Sequence, residues 1–589
     1  MQYTLNYRNN YLDISLYIPK KYLVQAKTLC MPRYIPGSYM LRDFACNIVD
    51  IYVIKNNNKI KLYKISHSEW QLEAFNEDIE IIYTLYAKDN SVRGNFCDSE
   101  RVLVNGAASF LYIKDLQDVP HTLIINNFSD WHIHTALAYK NYQYYHEFYA
   151  NNYDMLIDYP ILITRENFYQ KIKIDSKHQI VFAGEKVEIN ANIIKSIENI
   201  CYEQNKFFNT LENNKNIEFD EYKTDMDYLF ITQVGHNLYG GLEHRASTVL
   251  QTTPDSLNIN NRDKYIDFLG LCSHEYFHSW WVKRVKPQAF INPSFLHELD
   301  TKLLWIFEGF TSYYDNLFLY KAKCITLEEY LKLIQDNINS IYKYEGHNHQ
   351  SLNDSSIDAW IKYYKPTPNS LNTNTSYYTK GALLALCLDL YIRKNTDNKF
   401  SLDTVVKFLW EKYGRNFYDV NTIQTGLTYE SFLQNIQLCT SLNLDNILNS
   451  WVFNTSLETE LPFLEYLQHF DINVNIKVEN KIDWGLQYKS NILDNNIQSI
   501  TIEKIFKYGL GDLADLSIGD IVISINKQPI EKDINNNLLN CKQGDEINIL
   551  YWRNRQLIQK LVECNYKTSK LFELSINKNF HNKINGWLC

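Results

Sequence analysis

Residues 274–278 read His-Glu-Tyr-Phe-His, an HExxH pattern inside an apolar segment that the sequence predicts to be helical over 264–285. On a helix, positions i and i+4 share one face, so the imidazoles of His274 and His278 can reach one metal ion. Glu275 lies beside that face, where a carboxylate can take a proton from a metal-bound water. Two neutral imidazoles suit Zn²⁺, and the pattern therefore predicts a zinc centre.

A catalytic zinc needs a third protein ligand and an open fourth position. A second apolar stretch contains Glu308, 30 residues after the end of the motif. A carboxylate is seldom buried without a partner, and a metal ion would supply one. The rival ligands His297, Glu298 and Asp300 stand in a polar, loop-like run. The sequence favours Glu308 as the third ligand, with one zinc ion per chain.

The segments far upstream of the motif have the pattern of β-structure. Apolar residues alternate along 12–18 and 79–87, which is typical of half-buried strands. Residues 49–62 have the pattern of a hairpin around a polar turn at 56–58, and Pro36-Gly37 marks another turn. Several short strands in series predict an N-terminal β-sandwich.

Nearer the motif the pattern becomes mainly helical. A helix is predicted over 190–209 and a short buried strand over 228–234. Thr326 and Glu329 form a capping box ahead of an amphipathic helix. Strand patterns return near the C-terminus, for example over 516–526 after a Gly-Asp turn. The chain is therefore predicted to be a multidomain α+β protein.

Composition excludes several classes of protein. The 589 residues carry 59 basic and 68 acidic side chains, a net charge of −9, which argues against a nucleic-acid partner. No stretch has the roughly 18 uninterrupted apolar residues of a membrane span, and the first residues lack a signal-peptide pattern. The 11 cysteines include no CxxC pair, which fits reduced thiols. We expect a soluble cytoplasmic protein.

The motif and four other stretches together resemble the gluzincin metallopeptidases, and specifically the PDZ-containing glycyl aminopeptidase family. The stretches are HEYFHSWWVKR (274–284), LLWIFEGFTSYYD (303–315), GGLEH (240–244), YYTKG (377–381) and PRYIPGSYMLRDF (32–44). GGLEH corresponds to the GxMEN exopeptidase motif of alanyl-aminopeptidase relatives, with Leu242 in place of Met and His244 in place of Asn. Trp281 stands where the family more often has Asn.

The resemblance implies a role for each matching position. The implied zinc ligands are His274, His278 and Glu308. Glu275 is implied as the general base, and Tyr378 as the donor to the developing oxyanion. Glu243 with its neighbour Gly241 is implied to bind the substrate, Glu243 holding the free α-amine. Asp315 matches a second acid of related gluzincins and is implied to orient a ligand histidine.

The resemblance also implies an architecture and an activity. The implied segments are an N-terminal β-sandwich (1–185), a thermolysin-like zinc catalytic domain (186–340), a helical domain (341–465), a PDZ-like domain (466–570) and a C-terminal tail (571–589). The stretch 483–487, Asp-Trp-Gly-Leu-Gln, would be the carboxylate-binding loop of the PDZ-like domain. The implied activity is zinc-dependent removal of N-terminal residues, preferably Gly or Ala, from peptides with a free N-terminus.

Two other classes of function stay open. One is a zinc endopeptidase to which the PDZ-like domain delivers chain ends, and the other is a non-catalytic PDZ protein that binds peptides. The PDZ-like domain is interpreted either as a binder of C-terminal peptides or as a rigid accessory domain. Taken alone, Glu243 has the character of a surface acid and Tyr378 that of a core or surface residue. The basic residues Lys283, Arg284 and Lys286 are expected at a solvated helix end.

Overall fold

The computed structural model describes residues 1–23, 27–38, 40–55, 58–73, 75–126, 130–210, 226–419, 422–492, 498–531, 533–577 and 582–588. The chain divides into two compact units. Unit 1 comprises Met1–Thr301, Tyr314–Thr326 and Val406–Phe432, and unit 2 comprises Lys302–Tyr313, Leu327–Val405 and Leu433–Cys589.

The N-terminal part of unit 1 consists of short strands and three short helices. The strands are β1 (Gln2–Arg8), β2 (Tyr11–Ile18), β3 (Thr28–Cys30), β4 (Ile48–Lys55), β5 (Asn58–Lys61), β6 (Tyr63–Lys64), β7 (Glu69–Gln71), β8 (Ile79–Tyr86), β9 (Phe96–Cys97), β10 (Arg101–Val104), β11 (Tyr112–Ile113), β12 (His121–Asn126), β13 (Trp131–His134), β14 (Ala138–Asn141), β15 (Tyr145–Ala150) and β16 (Ile161–Arg165). The helices are α1 (Lys20–Leu23), α2 (Gly106–Ser109) and α3 (Tyr153–Ile157).

These strands form three sheets of a sandwich-like region. One has eight strands in the order β14-β15-β12-β1-β2-β8-β4-β5, and the others are β13-β16-β10-β9 and β11-β3-β7-β6. The two alternating segments of the sequence are confirmed as β2 and β8, which pair antiparallel with Leu12 opposite Leu85 and Leu16 opposite Ile81. Because all four side chains are buried, the alternation directly marks the core face. The hairpin is confirmed as β4 and β5, and residues 56 and 57 of its turn lie outside the described residues.

A fourth sheet of unit 1 carries the segment GGLEH. Its elements are β17 (Tyr169–Lys173), β18 (His178–Gly184), β19 (Tyr228–Val234), β20 (Gly240–Glu243) and β21 (Ser247–Thr252), with α4 (Ala191–Phe207) and α5 (Arg262–Phe277) alongside. The order is β17-β18-β19-β21-β20, so β20 is an edge strand of this sheet. The predicted helix and strand are confirmed as α4 and β19. Because β18 pairs in parallel with β19, the sheet continues across the domain boundary predicted at 185/186.

The helix of the HExxH motif is shorter than predicted. Helix α5 ends at Phe277, whereas the apolar pattern continues to 285. After His278 the chain turns: the Lys283 N–H donates to the His278 carbonyl (3.2 Å), and Val282 has a φ of 82°. The apolar residues after the motif are therefore buried in a turn and not in a helix. Hydrophobicity alone does not distinguish these two environments.

Unit 2 is mainly helical before its C-terminal strands. Its helices, some of which extend into unit 1, are α6 (Leu304–Lys321), α7 (Leu327–Tyr342), α8 (Gly346–His349), α9 (Leu352–Ile357), α10 (Ser370–Thr373), α11 (Thr379–Asn395), α12 (Leu402–Leu409), α13 (Tyr429–Thr440), α14 (Asp445–Phe453) and α15 (Phe463–His469). Helix α7 begins directly after Thr326, the first residue of the predicted capping box. The helices of unit 2 confirm that this part of the chain is mainly helical, as the sequence predicts.

The C-terminal part of unit 2 is a small β-region with its own core. It contains β22 (Ile472–Lys481), β23 (Leu486–Ile492), β24 (Gln498–Ile505), β25 (Ile521–Ile525), β26 (Gln528–Pro529), β27 (Glu546–Arg553), β28 (Gln556–Glu563), β29 (Lys567–Ile576), α16 (Leu510–Leu513) and α17 (Asn582–Leu588). One sheet has the order β23-β24-β25-β27-β28, with β26 paired to β25, and Trp484, Val522 and Ile549 lie in its core. Strand β29 pairs with β22 and extends into the segment 571–589 that the sequence assigns to a tail.

Candidate metal centre and active site

The two histidines of the motif present the same ring nitrogen for metal binding. His274 Nδ1 lies 2.9 Å from Asp315 Oδ2, and His278 Nδ1 lies 3.1 Å from the Trp281 carbonyl oxygen. Because both partners are acceptors, each Nδ1 carries the proton and each Nε2 keeps a lone pair. The turn after α5 thus serves the site, since it brings the Trp281 carbonyl back to His278. This arrangement is typical of metal-binding histidines.

Glu308 joins these histidines in one group. One ligand atom from each of His274, His278 and Glu308 lies within 4.8 Å of those of the other two. Helix α6 carries both Glu308 and Asp315, seven residues or about two turns apart and hence on one face. Glu308 is buried, with 2% of its surface exposed. Two imidazoles and one carboxylate are a donor set that fits zinc with a fourth position left open.

The rival ligands lie elsewhere. His297, Glu298 and Asp300 are exposed side chains between α5 and α6. Among the described residues, the grouped His, Cys, Asp and Glu side chains do not include them. The geometry therefore favours Glu308, as the apolar context of that residue predicts.

Glu275 is packed against the strand that carries GGLEH. Its side chain is buried, and helix α5 packs on β20 and β21. A methyl group built on Gly241 would lie 2.1 Å from Glu275 Oε1. The carboxylate therefore fills the space that the missing Cβ of Gly241 leaves. This contact explains why a glycine is required at 241.

Gly241→Ala is expected to lower kcat by about tenfold or more with zinc still bound, because misplacing a reacting group by about 1 Å can cost up to roughly 10²-fold. Gly270→Ala is a matched control on α5, where the added methyl would meet nothing closer than 3.9 Å. Steady-state kinetics and metal analysis of both variants test this. Unchanged kcat in Gly241→Ala would mean that the position of Glu275 is not critical.

Glu243 is a buried carboxylate with an unused acceptor. Its side chain is 4% exposed, and among the described residues nothing hydrogen-bonds to its Oε1. Gly37, at φ +97°, covers it so closely that a Cβ there would lie 2.5 Å from Oε1. The predicted Pro36-Gly37 turn therefore lies over this carboxylate. A cavity of about 250 Å³ is lined by Glu243, Gly37, Ser38 and neighbouring residues of unit 1.

A buried charge cluster adjoins Glu243. Lys283 Nζ donates to Asp158 Oδ1 (2.8 Å), and His244 Nδ1 lies 3.2 Å from the same oxygen. Burial alone would raise the pKa of Asp158, but the charge of Lys283 and the hydrogen bond of His244 lower it to about 2. The prediction that Lys283 is solvated is wrong, because its side chain is 4% exposed and paired. Asp158 carries no sequence signal, because its partners lie 86 and 125 residues away.

Tyr378 lies beside Glu308 within unit 2. It immediately precedes helix α11. Helices α6 and α11 touch at Gly309 and Gly381, where a Cβ on Gly309 would lie 2.6 Å from Gly381 Cα. Burial raises the pKa of the Tyr378 phenol well above its usual value, and the charge of Glu308 adds to this rise. The phenol therefore stays protonated and can act as a hydrogen-bond donor.

Two segments of the chain match known protein families. Residues 267–384, which include the HExxH motif, Glu308 and Tyr378, match the model of the M61 glycyl aminopeptidase family. Residues 2–165 match the model of the peptidase M61 N-terminal domain. Both matched segments are thus similar to the M61 glycyl aminopeptidase family. The resemblance found in the motifs is thus confirmed for the M61 family.

Solved structures include one protein with a similar fold over the whole chain. The aminopeptidase N family protein from Idiomarina loihiensis is 28% identical, covers 100% of both chains and has a TM-score of 0.87. Two weaker matches are native yeast LTA4 hydrolase (11% identity, 80% of this chain, 69% of that chain, TM-score 0.45) and the M1 zinc metallopeptidase from Deinococcus radiodurans (10% identity, 77% of this chain, 93% of that chain, TM-score 0.42). No curated protein matches the chain.

The comparisons and the structure together support a peptidase of the aminopeptidase type in this protein. No helix among the described residues has the length and apolar content to cross a bilayer.

Proposed function

We propose that this protein is a zinc-dependent aminopeptidase of the gluzincin type that removes N-terminal residues from peptides with a free N-terminus. The observation that carries this proposal is the buried carboxylate of Glu243, whose Oε1 is unpaired among the described residues. It stands on β20 two residues from Gly241, which packs on Glu275. Successive same-face positions of a strand lie about 6.6 Å apart, so a substrate ammonium at Glu243 would be held close to the base.

The proposed mechanism assigns one task to each residue. A zinc ion held by His274, His278 and Glu308 would supply Lewis acidity for the scissile carbonyl and the attacking water. Glu275 accepts the proton of the attacking water and returns it to the leaving amine. The Tyr378 phenol donates a hydrogen bond to the oxygen on which negative charge develops.

The remaining residues bind and orient. Asp315, through His274 Nδ1, fixes the ring that binds the metal. Glu243 binds the α-ammonium. Gly241, which has no Cβ, leaves the space that the Glu275 carboxylate occupies. The preference for Gly and Ala is supported by the family alone. The cavity of about 250 Å³ beside Glu243 makes a series of N-terminal Gly, Ala, Leu and Phe peptides the appropriate test of that preference.

We also propose the predicted order of domains, a PDZ-like domain over 466–570 and a cytoplasmic location. The PDZ-like interpretation is supported by the separate core around Trp484 and by β23, an edge strand that begins within the stretch 483–487. Gly485, at φ +61°, lies in that stretch, as a turn of the backbone there requires. Such an edge could add a peptide strand, and the same fold could also serve only as an accessory domain.

Glu243→Ala is expected to lower kcat/KM for free-amine peptides by about 10- to 150-fold, because a charge-assisted hydrogen bond contributes roughly 1.5–3 kcal/mol. Zinc content should stay normal, since Glu243 is not a ligand. N-acetylated peptides carry no ammonium, so they should be poor substrates for the wild type and lose little more in the variant.

Glu243→Gln is the matched control, because it keeps the shape of the side chain and removes only the charge. It should show most of the loss seen in Glu243→Ala. If the wild type cleaves free and acetylated peptides equally well, the amine is not recognised. In that case the zinc endopeptidase becomes the favoured function and GGLEH is only a structural edge strand.

A further inference from the structure

A turn of the N-terminal region lies over Glu243 and brings unused hydroxyl groups to the cavity there. The Ser38 N–H donates to the Ile35 carbonyl (2.9 Å), and the turn closed in this way places Gly37 against the Glu243 carboxylate. Tyr34, just before the turn, and Ser38, at its end, both line the cavity and are 2% and 1% exposed. Among the described residues neither hydroxyl has a hydrogen-bond partner. Because buried polar groups are rarely left unsatisfied, these two hydroxyls indicate a polar ligand.

Arg245 brings a positive charge to the same cavity, which lies within unit 1. Its guanidinium lies 3.4 Å from the centre of the Tyr418 ring, and the Tyr418 hydroxyl donates to the Lys283 carbonyl (2.8 Å). A guanidinium that lies over a ring keeps the N–H groups at its edge free to donate. In the part of the chain that the structure describes, no acceptor or carboxylate pairs with Arg245.

The other charged side chains of the cavity do not pair with Arg245. Besides Glu243 they are three aspartates and two lysines: Asp118, Asp154, Asp158, Lys283 and Lys286. Lys283 forms an ion pair with Asp158 (2.8 Å). The protein around Asp154 raises the pKa of its carboxyl although the side chain itself is exposed, and the charge of Lys286 is the largest effect that opposes this rise. Asp118 is exposed, so solvent screens its charge.

The N-terminal residue of a substrate would place its side chain in this cavity. The α-ammonium and the side chain leave the same Cα, so an ammonium held at Glu243 puts the side chain next to the groups that line the cavity beside Glu243. The scissile bond then lies toward Glu275, which packs on Gly241 of the same strand. The side chain of the first residue is therefore the part of the substrate that meets Arg245.

We propose that Arg245 is a specificity-determining residue that binds the side-chain carboxylate of an acidic N-terminal residue, with the hydroxyls of Tyr34 and Ser38 as further donors. This inference rests on the proposed aminopeptidase function and names a substrate class for it. Arginine can only donate, and burial raises the pKa of the Tyr34 phenol, which therefore stays protonated. Donors from three residues suit an acceptor with several lone pairs, and a carboxylate is such an acceptor. A Gly or Ala at the N-terminus would leave this part of the cavity to water.

The test compares Asp-Ala-Phe, Asn-Ala-Phe, Lys-Ala-Phe and the reference Ala-Ala-Phe with the zinc-loaded full chain. Asn has the shape of Asp without its charge, so the ratio of kcat/KM for the Asp and Asn peptides isolates the carboxylate. We expect the wild type to favour the Asp peptide by about tenfold or more, the effect of a charge-assisted hydrogen bond. Arg245→Ala should abolish most of this ratio, and Arg245→Lys should keep part of it. Tyr34→Phe and Ser38→Ala each remove one neutral donor and should lower the ratio by about 2- to 10-fold.

Arg8→Ala is the matched control. Arg8 also lies over a tyrosine ring, that of Tyr11 (4.3 Å), but it belongs to the first pair of strands and does not line the cavity. The ratio of the Asp and Asn peptides should therefore stay at its wild-type value in this variant. Zinc content is measured in every variant, since none of the substituted residues is a proposed ligand.

The outcomes separate two failures. If the wild type does not cleave Ala-Ala-Phe, the proposed function itself is wrong, and with it the role of Arg245. If Ala-Ala-Phe is cleaved but the Asp peptide is cleaved no faster than the Asn peptide, or the Lys peptide is preferred, the inference about Arg245 alone is overturned. An equal loss for all four peptides in Arg245→Ala would also overturn it, since the arginine would then support the site as a whole and not one side chain.

Discussion

Glu275→Gln is expected to lower kcat by about 10²- to 10⁴-fold, the range that removal of a general acid–base group produces. The amide cannot accept the proton of the attacking water at neutral pH, while its size is almost unchanged. The space left by Gly241 should therefore still be filled. His274, His278 and Glu308 are untouched, so zinc content should stay near one per chain.

Kinetics and metal analysis must be carried out on the same preparation of this variant. A zinc-loaded Glu275→Gln protein with activity close to that of the wild type would rule out Glu275 as the base. A loss of both zinc and activity would instead show that the substitution disturbs helix α5. Gly270→Ala, on the same helix, reports how far α5 tolerates a small change, because its added methyl meets only ordinary contacts.

Glu308→Ala is expected to remove most of the bound zinc and with it the activity. Loss of an outer partner such as Asp315 typically weakens metal binding by roughly 10- to 100-fold, and loss of a direct ligand should cost more. Asp315→Asn should therefore fall between Glu308→Ala and the wild type in zinc affinity. Competition with a zinc-binding dye measures all three proteins on one scale.

Glu298→Ala is the matched control for this ligand assignment. Glu298 is exposed and lies outside the group formed by His274, His278 and Glu308. The Glu298→Ala variant should therefore bind zinc as tightly as the wild type does. Normal zinc binding in Glu308→Ala together with loss of zinc in Glu298→Ala would contradict the assignment of the third ligand.

Local sequence patterns are sufficient to predict much of the fold. The alternating residues of 12–18 and 79–87 form paired strands β2 and β8, because period-2 alternation directly reports a half-buried strand. The pairing of residues i and i+4 on α5 likewise follows from helical geometry alone. Glu308 was predicted because a carboxylate in an apolar stretch needs a partner, and the structure places it with the two histidines.

Contacts between distant segments could not be predicted from the sequence. The ion pair of Lys283 with Asp158 joins residues 125 apart, and each looks like an ordinary surface charge in the sequence. The end of α5 at Phe277 was missed because the following apolar residues are buried in a turn. The sequence does not predict that β29 pairs with β22, because the strands β23 to β28 lie between these two strands in the chain and form a sheet of their own.

The most direct test of zinc-dependent aminopeptidase activity is product analysis by mass spectrometry. The purified full chain is incubated with Gly-Ala-Phe and with acetyl-Gly-Ala-Phe, with and without a chelator, and zinc is then restored. We predict stepwise loss of N-terminal residues from the free peptide, no product from the acetylated peptide, loss of activity with the chelator and recovery with zinc. Cleavage of the acetylated peptide at a similar rate, or activity that persists in the chelator, would contradict the proposed function.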